Sequence, residues 1–320
     1  MTDPWRHWRR LGAWAILGLP VTALYCVVVT LRRGLYRRCP ALRRGAQRPV
    51  IVVGNITVGG TGKTPFAAWL CRELRALGWR PGLVLRGYGG RHRGPLAVGP
   101  ESDTCIVGDE AVLLARRTGA PVVIGRDRVR AARALPADCD VIIADDGLQH
   151  YRLDRRIEIG VLDGNRRFGN GLCLPSGPLR EPLGRWRTLD FRVTQGAPAA
   201  GEWGMRLEGD KALALVSGAC VPAASLKRVH AVAGIGHPER FFHALRDLGL
   251  EVVAHAFADH HNYVPEDLAF ADAIPILMTE KDAVKCEGFA DARFWYLPVT
   301  AAVDPDLARR IASRLATKES

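Results

Sequence analysis

None of the eight cysteines stands in a C-x-x-C pair, so the chain lacks the ligand spacing of a zinc ribbon and the dithiol of a redox motif. Scattered singly, they read as buried thiols of a reducing compartment, with the cytoplasm as the expected setting. Internal repeats and low-complexity tracts are also missing, and the composition is that of an ordinary globular protein. Acid is in short supply: 33 Asp and Glu face 45 Lys and Arg, leaving a formal charge of +12. Such an excess favours an anionic partner, whether nucleic acid, an acidic membrane surface or a phosphorylated substrate. Basic residues are not interleaved with aromatics as on a nucleic-acid surface, so no nucleic acid is expected. What is present, 320 residues with 48% hydrophobic side chains, suffices for two α/β units at roughly 150 residues each.

Charge is wholly absent from residues 11–31, LGAWAILGLPVTALYCVVVTL. About 20 such residues can cross the hydrocarbon core of a bilayer as a helix. Arg6, Arg9 and Arg10 precede the run, Arg32, Arg33, Arg37 and Arg38 follow it, and Trp5, Trp8 and Trp14 sit where aromatic rings favour the interface. The run ends in Leu31-Arg32-Arg33, without the small-residue site of a cleaved signal peptide. A buried core helix fits poorly with arginines at both ends and no polar face. The expectation is a membrane anchor within residues 1–35, either spanning with a kink at Pro20 or lying in the interface. The heavier basic flank follows the segment, which puts the main body on the cytoplasmic side.

Downstream, Pro49-Val50-Ile51-Val52-Val53-Gly54 reads as a buried parallel strand. It leads into Thr57-Val58-Gly59-Gly60-Thr61-Gly62-Lys63-Thr64 and then a helical start with Pro65 in its first turn. Strand, glycine-rich loop and helix together form the setting of a phosphate-binding loop. The glycines let backbone N–H groups turn toward phosphate oxygens at a helix N-terminus. Lys63 is placed to reach the β- and γ-phosphates, and the Thr64 hydroxyl to bind Mg²⁺. Thr57 stands where the motif usually opens with glycine. A second strand, Asp140-Val141-Ile142-Ile143-Ala144, ends in Asp145-Asp146-Gly147 and delivers two carboxylates to the edge where α/β sheets bind ligands. An Asp-Gly turn is the plainer alternative.

A phosphate loop does not choose the reaction. Guanine recognition would need Asn-Lys-x-Asp, and the nearest match, Thr279-Glu280-Lys281-Asp282, carries Glu280 in the lysine position when aligned on Asp282. A kinase needs a group that positions the acceptor hydroxyl. Gly108-Asp109-Glu110, before a helical stretch, supplies two carboxylates, with a helix cap as an equally good reading. Asp259-His260-His261 follows a strand-like run and, from the residues alone, reads more readily as a solvated loop.

Taken in order, these motifs resemble the tetraacyldisaccharide 4'-kinase family, the lipid A 4'-kinases of the Gram-negative inner membrane. The resemblance also runs through Arg86-Gly87-Tyr88-Gly89-Gly90, Gly125-Arg126-Asp127-Arg128 and Asp145-Asp146-Gly147-Leu148-Gln149-His150. It continues through Phe168-Gly169-Asn170-Gly171, Leu174 to Pro182, Ala233-Gly234-Ile235-Gly236, Asp259-His260 and Thr279 to Lys285. It implies transfer of the ATP γ-phosphate to the 4'-hydroxyl of a tetraacyldisaccharide 1-phosphate at the cytoplasmic face of the inner membrane, with ATP and Mg²⁺ required. It also implies a catalytic pair: Asp109 as base, supported by His260, with His261 as an alternative register. The phosphate loop, residues 57–64, would hold ATP, and Thr64, Asp145, Asp146 and Glu181 would serve the metal. The arginines of the Arg86 and Gly125 motifs are candidate phosphate clamps, with a solvated basic surface as the even alternative. The implied partners are the acylated lipid substrate and the membrane surface, with no obligate protein partner.

The architecture expected is α/β: an anchor at 1–35, a phosphate-loop core with a parallel sheet at 36–204, and a smaller α/β lobe at 205–320. The second lobe begins with a βαβ pattern around Val229, Pro238 and Val252 and closes with a strand at Phe294 and a helix from Asp304. A site between the lobes would let His260 meet Asp109 and close on substrate. The competing reading is a membrane-tethered ATPase or nucleotide switch with no small-molecule acceptor.

Overall fold

The computed structural model describes residues 5–8 and 12–317. Arg9, Arg10 and Leu11 of the N-terminal segment lie outside the described residues. The segment forms α1 (Trp5–Trp8), α2 (Ala13–Leu17) and α3 (Leu19–Arg38). Pro20 opens α3 instead of kinking a longer helix, because a proline lacks the N–H that a helix interior needs and a first turn does not. The break falls at Gly18, where a Cβ would come within 2.6 Å of the Ser176 hydroxyl. Among the described residues, no helix is long and apolar enough to cross a membrane. One face of α3 packs on the body: Thr22 is buried, its hydroxyl accepts from Ser176 N–H at 3.1 Å, and Tyr25 donates to the Arg180 carbonyl at 2.8 Å. The other face leaves Val21, Leu24, Val28 and Leu31 more than half exposed.

Two sheets follow. In chain order the first holds β1 (Val50–Gly54), β2 (Pro81–Leu85), β3 (Leu96–Val98), β4 (Val122–Ile124), β5 (Val141–Asp145), β6 (Ile157–Asp163), β7 (Phe191–Gln195) and β8 (Trp203–Glu208). The second holds β9 (Lys211–Ala214), β10 (Cys220–Pro222), β11 (Arg228–Ala233), β12 (Glu251–Ala256), β13 (Ile276–Thr279) and β14 (Phe294–Leu297). A final strand, β15 (Thr300–Val303), returns to the first sheet. Spatial order there is β15-β8-β7-β6-β1-β5-β2-β4-β3, parallel except at its two edges, so the sheet is mixed but parallel-rich. β1 and β5 are central and buried along their whole length, which is why both read as unbroken apolar runs.

The helices are α4 (Lys63–Ala76), α5 (Thr104–Val107), α6 (Asp109–Thr118), α7 (Arg128–Arg133), α8 (Pro238–Asp247), α9 (Glu280–Cys286) and α10 (Pro305–Ala316). Leu307, Ile311 and Leu315 of α10 share one core with Phe66, Leu70 and Leu74 of α4. The boundary expected at 204/205 therefore falls inside β8, and β15 with α10, expected in the second lobe, belongs to the first sheet's core. The physical reason is that hydrophobic period fixes which face of a strand or helix is buried, not which sheet it joins. All eight cysteines are free; Cys71, Cys139, Cys173 and Cys286 are buried as expected, whereas Cys39, Cys105 and Cys220 are exposed.

Candidate active site

β1 ends at Gly54, and the loop after it divides into two parts. Thr57 is buried and bridges Leu179, and Val58 N–H donates to the Pro178 carbonyl at 2.9 Å, so both fasten the loop to the 178–179 segment. Gly59 to Thr64, in contrast, line a cleft of about 820 Å³ between the two sheets. Gly62 caps α4 at φ 82°, in the left-handed region, and a Cβ there would meet Met205 at 2.9 Å and Gln195 at 3.1 Å. The buried Thr61 hydroxyl has no hydrogen-bond partner among the described residues. A hydroxyl donor left unpartnered in a glycine-rich cradle fits a bound polyphosphate.

Both carboxylates expected at the end of the second strand are there, in different states. Asp145 is 3% exposed and accepts the Asp146 N–H at 2.8 Å. Burial, reinforced by the Glu110 charge, pushes its carboxyl up to about 7. Asp146 faces Lys63 at 3.6 Å and Arg180 at 3.1 Å. Burial opposes its charge, yet Lys63 and Arg180 together hold it at about 2. Arg86 and Arg128 also line the cleft, and Arg128 is buried beside this pair.

Glu181 does not join them. It is fully buried, and its two oxygens accept from Tyr151 and Gln149 while Arg185 Nε lies 3.4 Å away. Its carboxylate is consumed in holding the 149–185 region together, so the expected metal role is withdrawn. Glu181→Ala is expected to destabilise the fold by about 3–5 kcal/mol, as for removal of one partner from a buried ion pair. A urea unfolding midpoint would show it; a lost activity with an unchanged midpoint would restore the metal role.

Asp109 is the first residue of α6, where the helix N-terminus favours an anion. Its Oδ1 accepts Glu110 N–H at 2.8 Å, and its Oδ2 lies 3.2 Å from His260 Nδ1 and 3.7 Å from Lys285 Nζ. Gly108 turns the chain into α6 at φ 87°, with the Tyr88 carbonyl 2.4 Å from where a Cβ would stand. His260 is one of few non-glycine residues in the left-handed region, at φ 61°. Its Nε2 faces Lys281 Nζ at 3.2 Å, and Tyr88 packs on its ring at 4.7 Å. Lys281 in turn lies 3.4 Å from both Glu110 and Asp259. An ammonium can only donate; Nε2 must therefore accept, which leaves the proton on Nδ1 to be donated to Asp109. Burial would raise the Asp109 carboxyl, but the hydrogen bond from His260 and the charges of Lys281 and Lys285 outweigh it and hold it below the usual range.

The first lobe supplies Asp109 and the second His260, as expected from sequence, and His260 rather than His261 makes the contact. His261 instead pairs with Asp267 at 2.8 Å. The seam beside them is held by ion pairs from α6 to the start of α9 and to the residue that follows it, Arg117 to Glu280 and Arg116 to Glu287. Sequence reasoning gave no role to Lys281 or Lys285, although both lie in the Thr279 to Lys285 motif. Asp282, inside that motif, is fully buried and accepts from Gly234 N–H at 2.9 Å and Thr279 Oγ1 at 2.6 Å, fixing the helix that presents both lysines. Arg126, a candidate clamp, is exposed and does not line the cleft.

Along nearly its whole length the chain is similar to proteins of one family. The family model for tetraacyldisaccharide-1-P 4'-kinase matches residues 14–316. Tetraacyldisaccharide 4'-kinases of Nitrosococcus oceani and Alkalilimnicola ehrlichii are 49% and 51% identical, over 97% and 98% of this chain and 93% and 96% of theirs. The crystal structure of "apo" form LpxK from Aquifex aeolicus in complex with ATP is 27% identical, with a TM-score of 0.79 over 94% of this chain and 99% of that one.

Proposed function

The chain belongs to the tetraacyldisaccharide 4'-kinase family, and from that premise we propose how its side chains divide the transfer of the ATP γ-phosphoryl group to the 4'-hydroxyl of the lipid A precursor. The observation that carries the proposal is the Asp109–His260 pair, joined across the two lobes at 3.2 Å beside the phosphate cleft.

The amides of residues 59–62 and the Lys63 ammonium grip the ATP phosphates, and Arg128 and Arg86 add cationic charge where the transferred group passes. Asp109 accepts a hydrogen bond from the 4'-hydroxyl and takes its proton as the oxygen–phosphorus bond forms and the bond to the ADP oxygen breaks. A carboxyl held below the usual range is a weak base. Its main contribution is then aim: an ionised acceptor that fixes the attacking oxygen in line. His260, held between Lys281 and Asp109, locks the carboxylate's rotamer and touches no reacting atom in this role.

Thr64, Asp145 and Asp146 fit a magnesium ion. Asp145 is buried with its charge unpaired, the condition a divalent cation relieves, whereas Asp146 already has two cationic partners. Among the described residues no three acidic, histidine or cysteine side chains converge on a metal site, so phosphate and water oxygens would complete the shell. When bound, the ion would neutralise charge on the β- and γ-phosphate oxygens.

The exposed apolar face of α3 supports a seat in the membrane interface, with the body at the cytoplasmic face of the inner membrane. An acylated substrate stays in the bilayer, so the cleft has to work at its surface. In detergent micelles, wild-type protein is expected to move label from γ-labelled ATP onto a tetraacyldisaccharide 1-phosphate. ATP turnover should be appreciable only when that lipid is present. Steady ATP hydrolysis without lipid, and no labelled lipid, would overturn the assigned roles in favour of an ATPase.

A further inference from the structure

Six arginines line a second cavity of about 260 Å³ that shares no residue with the cleft. It lies where the last turns of α3 meet β6 and the turn Leu183–Thr188. Its two carboxylates are already committed. Glu158 takes Arg185 at 2.5 Å and Arg155 at 3.3 Å, and Asp190 takes Glu158 N–H at 2.7 Å and Arg314 at 2.5 Å. Arg33, Arg37 and Arg156 have no carboxylate within ion-pair distance among the described residues. Arg33 donates to the Thr188 hydroxyl at 2.7 Å, and Arg156 to the Arg314 carbonyl at 3.1 Å. Burial and the neighbouring Arg185 charge push the Arg33 guanidinium below its usual range. Arg43, in the same wall, reaches Asp154 through Nη1 at 3.4 Å, and its Nε is buried without a partner among the described residues. Tyr36 stacks on Tyr151 at 6.1 Å beneath this group.

Cations gathered without counter-charge in a concave site call for an anion, and guanidinium forks suit phosphate. The place narrows the choice. Arg33 and Arg37 are one turn apart on α3, and Val28, Leu31 and Leu35 on the same helix are more than half exposed. A phosphate held there has apolar surface at its side on which acyl chains can lie. We infer that this cavity is a headgroup site for an anionic phospholipid, its phosphate seated between Arg33, Arg37 and Arg156. It rests on the reading of α3 as an interfacial helix and is independent of the catalytic assignments. Because α3 is fastened to the body through Thr22 and Tyr25, occupancy of the site would fix the angle at which the cleft faces the bilayer.

The test is co-sedimentation of full-length protein with phosphatidylcholine vesicles, alone or containing phosphatidylglycerol. Phosphatidylglycerol should strengthen wild-type partitioning. Arg33→Gln/Arg37→Gln should lose roughly tenfold or more of that gain and keep its binding to neutral vesicles. Arg33→Lys/Arg37→Lys should recover part of it. Arg309→Gln/Arg310→Gln on α10 removes the same charge elsewhere and should bind as wild type does; thermal unfolding of each variant reports its fold. Equal losses in both glutamine variants would reduce the effect to net charge and overturn the site. Absence of any vesicle binding would overturn the interfacial reading and the lipid site with it. If inorganic phosphate protects detergent-solubilised wild type, but not Arg33→Gln/Arg37→Gln, from thermal unfolding while phosphatidylglycerol changes nothing, the ligand is a soluble phosphate and the lipid assignment falls.

Discussion

Asp109→Asn is expected to lower lipid phosphorylation by about 10²–10⁴-fold, the range a positioned acid–base group contributes, while ATP still binds. The amide keeps the volume and one acceptor oxygen but cannot take a proton. Asp109 opens α6, whereas the phosphate loop opens α4, so nucleotide protection against thermal unfolding should survive. His260→Ala should cost less, because it removes the group that aims the carboxylate and not the carboxylate itself. Residues that act as one unit are not additive, so Asp109→Asn/His260→Ala should be barely slower than Asp109→Asn alone. Additive losses in that cycle would separate the two residues and sink the pair.

The pair also sets a pH dependence whose sign can be worked out. The folded Asp109 carboxyl lies below its ordinary value of 3.8. The ionised form is thus present throughout the neutral range and is lost only as pH falls through that depressed value. Any stability it contributes is likewise present above the unfolded pKa and lost toward acid. The acid limb of kcat/KM assigned to Asp109 should then lie below about pH 4. In His260→Ala the hydrogen bond that lowers the carboxyl is gone while burial remains, so the limb should move upward. A limb that stays in place would show that His260 does not act on Asp109.

How much of this was legible without coordinates depends on distance along the chain. The phosphate loop and the Asp145-Asp146 end of β5 are local patterns, strand then turn, and the fold places them as read. Asp109 and His260 lie 151 residues apart, and nothing in their spacing brings them together; only the resemblance did. Lys281 has no role in the sequence reading for a physical reason. Its motif fails as a guanine-recognition loop and suggests nothing else by itself, whereas in the fold Asp282 turns inward to Gly234 and Thr279 and the lysines reach across the seam. Glu181 failed differently: a glutamate beside Arg180 looks the same from sequence whether its oxygens face a metal or Tyr151 and Gln149. The apolar run at 11–31, with its basic flanks, fits either a span kinked at Pro20 or an interfacial helix. Folded, it breaks at Gly18 and turns one face to the protein, a use that hydropathy does not distinguish from a span.

Lys63→Ala carries the other large expected effect, a fall of about 10²–10³-fold in transfer, comparable to deleting one preorganised donor to a developing negative charge. Lys63 already has a carboxylate partner within the protein. It lies 3.6 Å from Asp146, whose other oxygen contacts run to Arg180 at 3.1 and 3.3 Å. Deleting it leaves Asp146 with a cationic partner, so the fold should hold and the melting temperature should move little. The phosphates, in contrast, lose a point charge that the backbone amides of residues 59–62 cannot replace. Lys63→Arg should not rescue the rate, since a planar fork cannot take the place of a compact ammonium in a loop shaped around it. Nucleotide binding and kcat would then fall together in Lys63→Ala, whereas in Asp109→Asn only kcat falls. That split distinguishes a group that holds the phosphates from one that aims the acceptor. Full activity in Lys63→Ala would mean that the cleft binds ATP in some other register, and the roles given to Thr64, Asp145 and Asp146 would have to be redrawn with it.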